Sequence, residues 1–264
     1  MQAPKILPVV EPPNVKAKPH HPFLPNVGVG VPGGGSLLLM LSPVRTGKST
    51  IISNLLLNES CYGQLFFDDV QILSNTIAND VTSRFLNKAF NTHDHYDDKI
   101  IDGIVNRQKS FDKADQPQIA LILDDCLGSI KRESKINHLA SRYRHFSIKL
   151  LVISSQKFRG SVSPIIRANA TDVIIGSPFP NMSELNAISE EFGDNFGGKD
   201  NFLKHYHLCT PNKYDFCYLS LQDNPPIMYH NFEKVVLVGG QQKAIIEEPN
   251  PQLHYSNNMD KEDS

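Results

Sequence analysis

Several features are scarce in these 264 residues, and each scarcity excludes a class of protein. The four cysteines, Cys61, Cys126, Cys209 and Cys217, show no C-x-x-C spacing. They form no dense disulfide framework and suit free thiols in a reducing compartment. No apolar run approaches the roughly 18 residues needed to cross a bilayer, and the amino-terminal stretch lacks an apolar core of signal-peptide type. The expectation is a soluble, intracellular protein. Basic residues are not in excess either: 26 Lys and Arg stand against 28 Asp and Glu, for a net charge of −2. Any nucleic-acid partner must therefore be met by a local patch and not by the surface at large.

The hydrophobic content of 40% is enough for one substantial α/β core. Prolines recurring from Pro4 to Pro25 prevent regular helix, so residues 1–30 read as a flexible arm. Residues 31–238 read as the folded domain, and the polar stretch 239–264 as a disordered tail.

The chain is organised around one stretch. Leu37 to Leu41 is a short continuous apolar run after Gly33-Gly34-Gly35, which predicts a strand buried on both faces of a parallel sheet. It leads into Ser42, Pro43, Val44, Arg45, Thr46, Gly47, Lys48, Ser49 and Thr50, and then into a predicted helix over Ile51 to Leu57. This is a phosphate loop, G-x-x-x-x-G-K-[ST], with Ser42 in place of the first glycine. Backbone N–H groups of such a loop wrap a phosphate, Lys48 neutralises the β- and γ-phosphates, and the Ser49 hydroxyl is placed for Mg²⁺.

A second strand is predicted over Tyr62 to Phe67, followed by helical spacing at Ile72, Ile77, Val81, Phe85, Leu86 and Phe90 and an amphipathic helix over Lys99 to Lys109. Ile119 to Asp124 is another apolar strand ending in the paired carboxylates Asp124 and Asp125, as a Walker B segment does. Asp124 suits Mg²⁺ through water, and Asp125 stands where a base can polarise the attacking water. Residues 129–145 predict a helix carrying Lys131, Arg132, Lys135, Arg142 and Arg144, either a lining for nucleic acid or a solvated face. Lys149 to Ser155 is a buried strand whose tip, Gln156, could sense a γ-phosphate. A Pro-started helix over 163–170, a strand over Thr171 to Gly176, a helix over Met182 to Phe192 and a strand over Tyr214 to Ser220 follow. His93-Asp94-His95 reads as a polar loop, whereas His205, His207 and Cys209 would share one face of a strand, a spacing that suits a metal but leaves the fourth ligand undefined.

Five strands, with the phosphate loop on the first, paired carboxylates on the third and a polar tip on the fourth, define the additional-strand (ASCE, RecA-like) P-loop NTPases: α/β, with a central parallel sheet flanked by helices. Over residues 35–178 the chain resembles the FtsK/HerA superfamily, and within it the genome-packaging ATPases of large double-stranded DNA viruses, of the poxvirus and giant-virus type. The residues that match are Ser42 to Thr50, Ile119 to Asp125, Arg144 to Gln156, and Pro164 to Arg167 leading to Asp172-Val-Ile-Ile. The resemblance implies an ATP-driven DNA translocase that uses ATP and Mg²⁺ and forms a homo-oligomeric ring, a pentamer or hexamer, with a capsid or portal partner. It implies an arginine acting across the subunit interface, with Arg144 in that place and Arg142 and Arg167 as substitutes. It places the protein in the host cytoplasm, at a viral factory, or in the virion. The wider superfamily often has Glu at the position of Asp125. Two other functions stay open: a GTPase-like switch, because Asp125-Cys-Leu-Gly128 and Asn212-Lys-Tyr-Asp215 imitate D-x-x-G and N-K-x-D, and a nucleotide-binding virion protein that is not a motor.

Overall fold

Leu37 to Leu41, Ala120 to Leu123 and Leu150 to Ile153 have no solvent exposure at all, which only strands covered on both faces can achieve. The computed structural model, which describes residues 23–240 except 32, 78–83, 127, 129 and 180, shows how they are covered. Its elements are β1 (Ser36–Leu41), α1 (Lys48–Leu57), β2 (Asp69–Ser74), α2 (Arg84–Ala89), β3 (Asn91–His93), α3 (Asp98–Lys109), β4 (Ile119–Asp124), α4 (Lys135–Ala140), β5 (Ile148–Ser155), α5 (Pro164–Asn169), β6 (Asp172–Gly176), α6 (Met182–Phe192), α7 (Lys199–Cys209), β7 (Phe216–Ser220), β8 (Ile227–His230) and β9 (Lys234–Val238).

The strands form one sheet in the order β3-β2-β4-β5-β1-β6-β7-β8-β9. Neighbours are parallel from β3 to β6 and antiparallel from β6 to β9. β5 lies between β1 and β4, the inserted strand that defines the additional-strand fold, so the predicted fold class holds. Alternation along the strands splits the core in two. Leu37, Leu39, Leu41, Leu121, Leu123 and Ile153 point to one face, against α3 to α7. Leu38, Met40, Ala120, Ile122 and Val152 point to the other, against α1 and the segment carrying Leu24, Val27 and Val29. Residues 1–22 of the expected arm and 241–264 of the expected tail lie outside the described residues.

Several local expectations need correction. Tyr62 to Phe67 is a set of turns, not a strand, because Gly63 takes a positive φ of 76°. Its aromatic rings pack on one another at 5.0–5.4 Å, with Tyr62 OH donating to Pro25 O at 2.6 Å. The second strand starts later, and Ile72, read as helical, is inside β2; a run of six residues is too short for periodicity to separate strand from helix. The basic helix shortens to α4, since Asn137, buried, donates its side-chain amide to the carbonyls of Lys131 and Arg132 and holds them in a turn. α7 is a helix, which turns His207 away from His205 and Cys209. β3, which takes in His93 of the expected polar loop, and β8 and β9 are strands that the sequence reading does not anticipate.

Two buried polar clusters fix the sheet. Asp172, with no exposure, accepts from Ser36 Oγ, Thr171 Oγ1 at 2.7 Å, Tyr218 OH at 2.7 Å and Gln222 Nε2 at 3.2 Å. Burial pushes its carboxyl up, against the pull of the Ser36, Tyr218 and Thr171 hydrogen bonds. Lys149, 4% exposed, donates to the carbonyls of Gly28, Val31 and Gly34 at 3.2, 2.6 and 3.2 Å. This ammonium gathers the glycine turns ahead of β1, and desolvation lowers its pKa. Lys149→Met would strip three carbonyls of their shared donor, so a loss of about 2–4 kcal/mol is expected, read as a lower urea midpoint at unchanged m-value.

Candidate active site

Because β1, β4 and β5 are parallel, the residues that follow them are gathered at one edge of the sheet. Leu41 pairs with Ser155 and Leu123 with Ile153, which brings Ser42, Asp124, Asp125 and Gln156 side by side. Between β1 and α1 the chain turns through positive φ values of 63° at Arg45 and 94° at Gly47. α1 has no side-chain cap, so its first backbone N–H groups face the turn without a side-chain acceptor, as an anion site requires.

Ser42, which replaces the motif glycine, is accommodated by its neighbours. Its hydroxyl is hydrogen-bonded to Thr46 Oγ1, which donates to Pro43 O at 2.6 Å, and its N–H donates to Ser155 O at 3.0 Å. Opposite stands Gly176, the last residue of β6, where a methyl group would lie 2.0 Å from Ser42 Oγ. The glycine absent from the loop is matched by one on the adjacent strand, and that exchange keeps the backbones close.

Lys48, 7% exposed, donates to Ser42 O at 2.9 Å and Pro43 O at 3.2 Å, and lies 3.7 Å from Asp125 Oδ2. Asp124 is buried and accepts from Ser154 Oγ at 2.5 Å and Ser74 Oγ at 3.5 Å. Asp125 has a left-handed φ of 51°, a strained conformation of the kind that collects at reactive sites. Its N–H donates to the same Ser154 hydroxyl at 3.0 Å, and its carboxylate accepts from Gln156 Nε2 at 3.2 Å. Ser154 therefore ties the Asp124 carboxylate to the Asp125 backbone, a role not read from the sequence, although its place two residues before Gln156 on a strand beside β4 signals it.

Lys48 and Asp125 line a cleft of about 850 Å³ formed by Val44 to Ile51 together with Thr76, Asp125 and Tyr214. A smaller recess of about 290 Å³ shares Asp125 and is lined by Ser154, Ser155, Gln156 and Lys157. Among the described residues no group of three His, Cys, Asp or Glu side chains converges on a metal position, at His93 and His95 or at His205 and Cys209. One hydroxyl, Ser49, and one buried carboxylate, Asp124, fit a hard cation that keeps several waters and shares its substrate's phosphate oxygens, as Mg²⁺ does.

The expected arginines are not part of this cleft within the chain. Arg144 donates from Nε to Gly35 O at 3.1 Å, just before β1 and at the end of that strand away from the loop, and its guanidinium lies 5.1 Å from the Tyr143 ring centre. Arg142 bonds its own turn through His138 O at 3.4 Å. Arg167 pairs with Glu191 at 3.0 Å and lies over Phe158. The N-K-x-D imitation also fails on geometry. Asp215 Oδ2 accepts from both the N–H and the side-chain amide of Asn212, at 2.9 and 3.1 Å, so the carboxylate that would read a guanine is spent inside its own turn.

No protein-family model matches the chain. It is similar to the uncharacterized protein 075L of Invertebrate iridescent virus 6, 30% identical over 146 residues that make up 54% of each chain. It is also similar to the uncharacterized protein 088R of Invertebrate iridescent virus 3, 29% identical over 170 residues, 62% of this chain and 60% of that one. The chain thus spans little more than half the length of these relatives. Among solved structures, the genome packaging NTPase B204 of Sulfolobus turreted icosahedral virus 2 in complex with ATP-gammaS aligns with a TM-score of 0.53 at 15% identity, over 75% of this chain and 98% of that one. The DNA-packaging ATPase B204 of Sulfolobus turreted icosahedral virus aligns with a TM-score of 0.55 at 15% identity, over 74% and 97%. The chain shares the overall fold of these two proteins.

The contact between Ser42 and Gly176 makes a double-mutant cycle informative. Gly176→Ala should destabilise the fold by about 1–3 kcal/mol through overpacking. In a Ser42→Gly background the same change should cost less than half as much, measured by thermal or urea unfolding.

Proposed function

We propose that the chain is an ATP hydrolase that drives double-stranded DNA into a viral capsid. The observation that carries this reading is the placement of Lys48 3.7 Å from Asp125, with the paired carboxylates at the end of β4 and Gln156 at the end of the inserted β5. The relatives in two iridescent viruses and the fold shared with viral packaging ATPases support it.

In this reading the reaction is in-line attack of water on the γ-phosphate. The phosphate loop, Ser42 to Thr50, cradles the phosphates with backbone N–H groups, and Lys48 exchanges its contacts with the Ser42 and Pro43 carbonyls for phosphate oxygens. Ser49 and, through water, Asp124 would hold Mg²⁺, which neutralises phosphate charge when bound. Asp125 orients the attacking water, and Gln156, bonded to Asp125, reports whether the γ-phosphate is present.

The site is completed in a ring by an arginine of a neighbouring copy, Arg144 first, with Arg142 and Arg167 as substitutes. Within one chain Arg144 stands at the far end of β1, which suits action on another copy's site and not on its own. Lys131 and Arg132 are exposed, and Lys135 lies 3.6 Å from Asp102, so the first two are the residues proposed to contact DNA phosphates. The working location is the infected cell's cytoplasm or the virion, beside a capsid or portal component.

Hydrolysis measured with and without double-stranded DNA tests the motor: ATP turnover stimulated by DNA is expected, and a GTP preference indifferent to DNA would overturn it. Asp125→Asn should lower kcat on the order of 10²- to 10³-fold while ATP still binds. Mixing Arg144→Ala with Lys48→Ala subunits should restore part of the activity each lacks alone, and near-normal turnover by Arg144→Ala alone would remove that residue from the site.

A further inference from the structure

Tyr214 is 56% exposed, among the largest apolar surfaces the described chain presents, and its backbone holds a φ of 77°. Tyrosine rarely adopts the left-handed region, so the surrounding turn must hold it there. It does so from both sides. Asp215 accepts from the Asn212 N–H and amide, its own N–H donates to Asn212 O at 3.3 Å, and its carboxylate lies 3.5 Å from His230 Nε2. The next residue, Phe216, donates its N–H to Asn231 Oδ1 at 3.0 Å.

The topology decides where the ring lands. β7 runs antiparallel to β6, with Phe216 opposite Gly176, so the turn before β7 stands at the edge where β1 ends and the phosphate loop begins. The Tyr214 ring lines the cleft, and a methyl group on Gly47 would lie 3.9 Å from Tyr214 Cδ1. Lys213 Nζ sits 4.7 Å from the ring centre. An exposed aromatic ring on a hydrogen-bonded turn beside a phosphate loop, with a cation against it, is a stacking surface for a flat ring carried on a polyphosphate.

We propose that Tyr214 is the platform on which the purine base of the nucleotide stacks, a base-binding residue in a turn remote in sequence from the phosphate loop. The proposal rests on reading the cleft as a nucleotide site. Recognition is by the face of the base and not by its edge, since the Asp215 carboxylate is engaged within the turn.

The chain has no tryptophan, so Tyr214→Trp supplies a single reporter. Its emission should change when MgATP is added and stay constant with magnesium tripolyphosphate, which fills the phosphate loop but has no base. In calorimetry, Tyr214→Ala should weaken ATP about tenfold and leave tripolyphosphate affinity within about twofold, while Tyr214→Phe keeps both. ATP affinity unchanged in Tyr214→Ala, or ATP and tripolyphosphate weakened alike, would overturn the proposal. If tripolyphosphate fails to bind the unmodified chain in a Lys48-dependent way, the phosphate-site reading itself falls, and the proposal with it.

Discussion

β1, β4 and β5 are buried on both faces, and that single constraint dictates most of what the molecule can do. A strand with no exposed side chain can offer chemistry only at its ends, and parallel strands offer their carboxyl ends together. β5 separates the strand that leads to Lys48 from the strand that ends at Asp124 and Asp125. The Lys48–Asp125 pair reaches across the gap it opens, while the Ser154 hydroxyl, on β5, donates to the Asp124 carboxylate and accepts from the Asp125 N–H. The cation, the two carboxylates and Gln156 are thereby held in fixed relation by backbone register, with few adjustable side-chain torsions involved.

The serine at the first position of the loop shows how a motif can change without its geometry being lost. What the motif glycine supplies is room for the loop to lie against the neighbouring strand. Here the room comes from Gly176, across which the Ser42 hydroxyl reaches Thr46. The requirement belongs to the pair of backbones and not to either residue, which is why the departure from the motif leaves Lys48 correctly aimed at the loop carbonyls.

The central strands were legible because their apolar runs end in polar residues of distinct chemistry: Ser42 to Ser49 after β1, Asp124-Asp125 after β4, and Gln156 after β5. Where the sequence misled, the physical signal was ambiguous. Val70 to Leu73 is too short to show a period, and the aromatic run Tyr62 to Phe67 looks like a strand but is broken by Gly63 into a cluster that covers α1. The helix expected over 129–145 shortens to α4 because of a buried asparagine whose hydrogen bonds no pattern announces. Tyr214 was hidden for a different reason. Its proximity to Gly47 follows from the direction of β7, which is a property of the sheet and not of any local stretch.

The Asp172 cluster has a mechanical meaning beyond its hydrogen bonds. It ties the starts of β1 and β6 to the end of β7, through Ser36, Thr171 and Tyr218. The opposite ends of the same three strands carry the phosphate loop, Gly176 and the Tyr214 turn. Pinned at one end and hydrogen-bonded in register along their length, these three strands hold the phosphate loop, Gly176 and the Tyr214 turn at a common spacing, so one wall of the cleft is set by the far end of the sheet.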